Sequence, residues 1–289
     1  MKMRTRVGGS SRLEEENEAF HSVQREFFRE ILLTIHRIMA EIYEMRNVRI
    51  EPIGTGGSRL SIPIRIDGLD VHENEFRVFG KILGSSDIMT EKTIQFFKNI
   101  FLQMNSMDPL FDFDSSAEEM ARYQYETITK MHELGIPTAK PMGCHPLKGN
   151  LWLFLAEFLD ARPLSVTGNV SMEQLDIAFG HLRKMHRKKL FHGDIKPENI
   201  LFSDKVYILD VGKFLDEAPV ESKRAYDLAC IIASFLEYSE PEEIVKLARN
   251  HYSKRDLRNA SKYIELVQNR PDISFSDHTR GRLIDLLNG

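Results

Sequence analysis

The sequence predicts an α+β protein of two lobes, a small β-rich one followed by a helical one, with a helical extension ahead of both. Three observations lead to this. Between Val48 and Ile82, and again over Leu151 to Ala156, short apolar runs carry the period of strands and are separated by turns. From Ser171 to Gly289 the apolar residues recur mostly at helical spacing. Before Val48 there is one uninterrupted amphipathic stretch. The expected organisation is a tail and long helix over 1–47, a β-rich lobe over 48–158 and a helical lobe over 159–289.

The elements follow in order. Phe20, Val23, Phe27, Ile31, Ile35, Ile38, Ile42 and Met45 fall three or four apart with no Pro or Gly among them, so a helix is predicted from about Arg12 to Met45. Phe28, Leu32, Leu33 and Met39 widen its apolar face, which something must cover: the domain that follows, or a partner helix. Val48-Arg49-Ile50 and Leu60-Ser61-Ile62-Pro63-Ile64-Arg65-Ile66 read as strands, with Pro63 suited to an edge or a bulge and a turn at Gly68-Leu69-Asp70. Phe76 to Ile82 reads as a third strand with Lys81 inside it. A helix is predicted from about Thr90 to Met104, a loop over Asn105 to Ser115, and a second helix from Ser116 to Leu134 that stops at Gly135. Leu151 to Ala156 is a further strand. Ser171-Met172-Glu173-Gln174 has the pattern of a capping box opening a helix to about Lys188. Tyr226 to Ala233 reads as a buried helix, and two or three more reach the end.

Composition bounds the function. A net charge of −4 supplies no overall basic field for nucleic acid or membrane. No run of about 18 apolar residues is present to span a bilayer. Cys144 and Cys230 stand far apart, which suits a reduced, cytoplasmic setting better than a disulfide framework. The basic run Arg183-Lys184, His186-Arg187-Lys188-Lys189 reads first as a solvated helix face, with an RNA or ribosomal partner as the minority reading.

The chemistry is concentrated in His192-Gly193-Asp194-Ile195-Lys196-Pro197-Glu198-Asn199-Ile200 and in Ile208-Leu209-Asp210-Val211-Gly212. An Asp, a Lys and an Asn stand at fixed offsets, and a second Asp ends an apolar run. The first stretch resembles the protein-kinase catalytic loop, H-R-D-x-K-x-x-N, and the second resembles the D-F-G metal site. The resemblance runs from about Val48 to Ser234 and implies a bilobal protein-kinase-like fold that transfers the γ-phosphoryl of ATP to a hydroxyl. It makes Asp194 the base for the acceptor hydroxyl and Lys196 the cation on the transferring phosphoryl group. Asn199 and Asp210 become ligands of Mg²⁺, with Mn²⁺ as the alternative: hard ions that take oxygen donors.

Lys81 is the matching phosphate lysine, because an ammonium inside a strand needs a partner. Gly54, Gly56, Gly57 and Ser58 resemble the glycine loop over the phosphates, although Arg59 stands where a third Gly is expected. Glu157-Phe158-Leu159-Asp160 resembles the hinge between lobes, so the backbone of Glu157 and Leu159 is expected to hold adenine. The helix partner of Lys81 stays open: helical register points to Gln124, while Glu126 and Glu119 lie close by and Glu126 is slightly favoured. Asp227 is expected to anchor the catalytic loop by backbone hydrogen bonds.

Two departures narrow the likeness. Gly193 replaces the Arg of H-R-D, and only sixteen residues lie between Asp210 and Asp227, with no A-P-E motif. Both traits resemble compact atypical kinases: the RIO type, the KEOPS type, and the lipopolysaccharide and aminoglycoside phosphotransferases. Lys196 and Pro197-Glu198-Asn199 resemble serine/threonine kinases instead. The expected acceptor is therefore a protein Ser or Thr. A sugar or lipid kinase, and a weakly active pseudokinase or ATPase working in an assembly, are the alternatives.

Overall fold

The computed structural model describes residues 10–53, 61–84, 98–99, 102–103, 105–112 and 115–289, with the backbone alone over 10–25. Helix α1 spans Ser10–Glu41. Strands β1 (Arg46–Pro52), β2 (Ser61–Leu69), β3 (Glu75–Leu83), β4 (Pro141–Pro146) and β5 (Trp152–Glu157) form one antiparallel sheet in the order β1-β2-β3-β5-β4. Helix α2 (Ala117–Glu133) connects β3 to β4.

The period of two sorts side chains between the two faces of this sheet. Val78 and Ile82 of β3 and Leu153 and Leu155 of β5 join Ile31, Ile35 and Met39 of α1 in one buried cluster. Phe79 and Leu83, with Phe154 and Ala156, turn to the other face and meet α2 through Met120, Ala121 and Ile128. Lys81 therefore lies on the α2 face, opposite Phe154 in the register. The Tyr43 hydroxyl, just after α1, bonds His145 Nε2 of β4 at 2.7 Å. Helix α1 is thus part of the β-rich lobe's core from Phe27 onward. Phe28, Leu32, Leu33 and Ile42 stay exposed on its outer side.

Pro63 is not on an edge strand, since β2 lies between β1 and β3. Its carbonyl accepts from the Ile53 N–H at 2.9 Å, just beyond the last β1 pair, Pro52 with Ile64. The N–H that proline lacks would face Ile53 as well, at the very end of the β1 ladder, so only one terminal bond is forgone. The expected turn moves as well. Gly68 is a strand residue, where a Cβ would come within 2.9 Å of the Arg46 carbonyl oxygen, and the turn starts at Asp70, whose Oδ1 accepts from His72 and Asn74 N–H.

The helical lobe begins with β6 (Arg162–Pro163), α3 (Met172–Arg187), β7 (Ile200–Phe202) and β8 (Val206–Ile208). The capping box at Ser171 and Gln174 is present, as is one at Ser116 and Glu119 opening α2. Helix α4 (Val220–Ser234) runs through the centre, buried over Ala225 to Ser234. Four helices follow: α5 (Pro241–His251), α6 (Lys254–Ser261), α7 (Ile264–Gln268) and α8 (Asp277–Asn288). That exceeds the two or three expected, because Ser253 and Ser276 cap short new starts within the apolar pattern. The basic run on α3 is not one solvated face. His186 is buried, and Arg183 lies 5.3 Å over the Tyr252 ring.

The stretch before α2 contributes to the helical lobe. Leu102, Leu110 and Phe111 are buried in its core. Asn99, 6% exposed, accepts from Leu110 and Phe111 N–H and donates to the Phe111 carbonyl. Phe111 then bridges Phe214, and Leu215 N–H donates to Leu110 O at 3.0 Å. Most of the helix expected over 90–104 lies outside the described residues; residues 98, 99, 102 and 103 are helical.

Candidate functional site

The catalytic-loop motif follows α3 and is held from below by α4. Asp227, fully buried, accepts from His192 N–H through Oδ2 and from Gly193 N–H through Oδ1, both at 2.8 Å. His186 Nε2 sits 3.2 Å from the same Oδ2, and the Tyr252 hydroxyl is 3.0 Å from His186 Nδ1. Burial holds His186 below the usual histidine pKa. Removing this carboxylate strands two buried N–H groups. Asp227→Ala is expected to cost about 3 kcal/mol of unfolding free energy, measured by urea denaturation; a loss under ~1 kcal/mol would contradict the anchoring role.

The loop is then clasped to the second motif. His192 Nε2–H donates to Leu209 O at 2.9 Å, and its Nδ1 accepts from Asp194 N–H at 3.2 Å, which defines the neutral tautomer. Gly212 N–H donates to His192 O at 2.8 Å, and Leu209 N–H donates to Asn199 O at 2.9 Å. Gly193 has φ +77°, and a Cβ there would lie 2.4 Å from the Gly212 carbonyl oxygen. This explains why the Arg of H-R-D is absent: no side chain fits between the two loops.

The functional side chains meet where these loops face β3. Lys81 Nζ donates to both carboxylate oxygens of Asp210, at 2.7 and 2.8 Å. Gln124 Nε2 of α2 donates to Asp210 Oδ1 at 2.8 Å. Asn199 Nδ2 bonds the Asp194 carbonyl at 2.9 Å and the Asp210 carbonyl at 3.3 Å, and approaches Asp194 Oδ2 at 3.4 Å. Lys196 Nζ pairs with Asp194 Oδ2 at 3.1 Å. Asp210 itself has φ +58°, a backbone state uncommon outside Gly that turns its carboxylate toward Lys81.

Burial works to raise the Asp194 carboxyl, but Lys196, then Arg270 and Lys98, outweigh it and hold it well below the usual carboxylate range. Asp194 in turn raises the Lys196 ammonium against the effect of burial. Lys98, over the Phe111 ring at 4.8 Å, is pushed down to about 8 by burial and by Arg270.

Lys81, Asp194, Lys196, Asn199 and Asp210, taken from three separate segments, are brought into one hydrogen-bonded set. Gln124, 3% exposed, is the α2 residue that reaches the site, but it bonds Asp210 and not Lys81, whose partner is Asp210 itself; Glu126 is exposed and Glu119 belongs to the helix cap. Glu126, the slightly favoured residue, is overturned because its side of α2 turns away from the sheet. Gln124 reaches Asp210 with its amide nitrogen, while its buried Oε1 has no partner among the described residues. Gly54, Gly56, Gly57 and Ser58 lie outside the described residues. Glu157 ends β5, and its N–H donates to Lys140 O at 2.8 Å. Leu159 packs with Phe154, Ala156 and Leu209 at the back of the site.

The donor set suits a hard divalent ion. Asn199 uses its amide nitrogen within the protein, and its Oδ1 accepts from none of the described residues. Asp210 adds one carboxylate. Among the described residues no group of three or more His, Cys, Asp or Glu could form a self-sufficient metal site. An ion here would need oxygens from elsewhere, as Mg²⁺ on a nucleotide has. An amine from the β-rich lobe, an Asp in the left-handed region and an Asp–Asn loop anchored on a central helix meet beneath an antiparallel sheet.

The fold is protein-kinase-like.

Solved structures of kinases match along most of the chain. One, assigned as a fructosamine-3-kinase from Haemophilus somnus, is 11% identical with a TM-score of 0.48, covering 91% of this chain and 98% of that one. The Rio2 kinase of Chaetomium thermophilum, with ADP, Mg²⁺ and phosphoaspartate, is 14% identical at 0.46, covering 89% and 74%. A spectinomycin phosphotransferase in complex with ADP and spectinomycin is 12% identical at 0.49, covering 87% and 93%. No family model and no curated protein matches the sequence.

Arg270 is the functional neighbour that sequence reading missed. It follows α7, is 6% exposed, and places Nη2 2.9 Å from Asp194 Oδ1. Lys98 and Asn99 were likewise read only as parts of a helix. The one signal in the sequence is Arg270-Pro271-Asp272, two opposite charges held close across a proline.

Proposed function

We propose that this protein is an ATP-dependent phosphotransferase that moves the γ-phosphoryl group to a hydroxyl, most simply a Ser or Thr of a protein. The observation that supports it is the convergence of Lys81, Asn199 and Asp210 beside Asp194. In this reading Lys81 exchanges its bond to Asp210 for the nucleotide phosphates, and Asn199 Oδ1 and Asp210 hold Mg²⁺, with Mn²⁺ as the alternative. The ion would offset charge on the phosphate oxygens. Asp194 orients the acceptor hydroxyl, and Lys196, 3.1 Å from it, supplies positive charge where the phosphoryl group passes. The backbone of Glu157 and Leu159 would receive adenine between the lobes.

A small-molecule acceptor is the second reading, and one observation favours it. Between Asp210 and α4 the chain is short, and Lys213 and Leu215 are already paired with Asp112 and Leu110. Little backbone is left there to dock a peptide. No helix among the described residues is long and apolar enough to cross a membrane.

Incubation of γ-labelled ATP and Mg²⁺ with a cell extract, wild type beside Asp194→Asn, tests the proposal. A labelled product that needs the wild-type enzyme is expected, and its nature as protein, sugar or lipid selects between the readings. Equal labelling by the two proteins, or none by either, would sink it.

A further inference from the structure

Arg270 is buried, and its guanidinium is fully engaged. Nε donates to Asp272 Oδ1 at 2.9 Å, and Nη2 donates to Asp272 Oδ2 and to Asp194 Oδ1. Nη1 donates to the Tyr226 hydroxyl at 2.9 Å and reaches Cys230 Sγ at 3.6 Å. Each N–H of the fork therefore has an acceptor. Two of those acceptors, Tyr226 and Cys230, lie on the central helix α4, which is buried there. An ion this deep costs several kcal/mol to desolvate, and apolar packing could have filled the same space. Stability alone is a weak reason for placing an Arg here.

Asp194 supplies a stronger one. A carboxylate offers about four lone-pair sites. Arg270 occupies one on Oδ1, while Lys196 and, more loosely, Asn199 occupy Oδ2. That leaves the direction in which a hydroxyl can still approach well defined. The segment after Asp210 cannot organise this side, because it is short and engaged with Leu110 and Asp112. The support comes instead from the far end of the chain.

We propose that Arg270 is a positioning residue for Asp194: locked by Asp272 and Tyr226, it sets the direction in which the carboxylate meets the acceptor hydroxyl. This rests on the phosphotransferase reading above. Arg270 touches neither nucleotide nor acceptor in this scheme. It acts only through Asp194, so its effect belongs in turnover and not in nucleotide binding.

The test measures label transfer from γ-labelled ATP into cell extract by wild type, Arg270→Gln and Arg270→Lys, each also in the Asp194→Asn background. Rates are scaled to active sites counted by ATP-binding calorimetry. Arg270→Gln is expected to lower kcat on the order of 100-fold with KM for ATP within about twofold, and Lys should recover about a tenth of wild-type turnover. In the Asp194→Asn background the same change should cost less than about threefold, because the group it acts through has already gone. An equal factor in both backgrounds, or a wild-type kcat in Arg270→Gln, overturns the inference and leaves the phosphotransferase reading standing. An inactive wild type overturns both. Should Arg270→Gln not fold, Tyr226→Phe removes one of the contacts that lock the guanidinium. It is expected to lower kcat about threefold or more at unchanged KM for ATP, and unaltered kcat overturns the proposal.

Discussion

Asp210→Asn is expected to reduce phosphoryl transfer on the order of 1000-fold while leaving the fold in place. The substitution keeps the shape of the side chain and removes its charge. In the free protein that charge holds Lys81 through two bonds and Gln124 through one. In the working enzyme it would be the only carboxylate offered to the metal ion, because Asn199 brings a neutral oxygen. The neighbouring acid, Asp194, is already engaged by Lys196 and Arg270, and among the described residues no cluster of three potential ligands forms. The side chain is 32% exposed, but Lys81 beside it is only 13% exposed and loses its counter-ion, so about 1 kcal/mol of stability should go while the fold stays in place. Steady-state kinetics beside a melting curve check both halves of the expectation. More than a tenth of wild-type turnover would remove Asp210 from the role of ligand.

Gly193→Ala should do the opposite and damage fold and activity together. The residue has φ +77°, which disfavours any Cβ, and the added carbon would meet backbone at 2.4 and 2.8 Å, the oxygen and carbon of the Gly212 carbonyl. Neither side can yield easily. Gly193 N–H is tied to Asp227, and Gly212 N–H is tied to His192 O. A cost of about 3 kcal/mol or more is expected, a fall in melting temperature of roughly 6 °C or more. Displacing the Asp194 loop by a fraction of an ångström should lower turnover about 100-fold in the folded fraction. Gly281→Ala is the control: it lies in α8 with nothing within 4 Å of the added Cβ, and should stabilise by up to about 1 kcal/mol. Calorimetric melting of the two variants side by side decides the matter. Equal melting temperatures would show that the two loops can separate at no cost.

Gly193 also shows how a motif can be legible while its reason is not. The absence of the Arg of H-R-D is plain in the sequence, and a missing basic group is all that can be inferred from it. The structure adds a steric cause, since the glycine seats one loop against the other. Gln124 is a similar case. Counting residues on α2 places it on the face that meets the sheet, whereas a shift in that register would bring Glu126 there instead. The packing of Ile128 and Met120 fixes the rotation of the helix, and Gln124 is the residue that turns inward.

What the sequence determined by itself is what depends on local period and on short, fixed offsets. Strands β1, β2, β3 and β5, the capping box at Ser171, the helix start at Ser116, and the spacing of Asp194, Lys196 and Asn199 are all of this kind, whereas β4 was not legible. Each is set by neighbours a few residues away, through backbone sterics and side-chain alternation. Only the tertiary structure decided the pairing of Lys81 with Asp210, 129 residues apart, and of Arg270 with Asp194, 76 residues apart. It alone also decided that Asn99, Leu102, Leu110 and Phe111 are buried with the helical lobe. Contacts at such separations leave no periodic trace, because they arise only when the two lobes and the last helices come together.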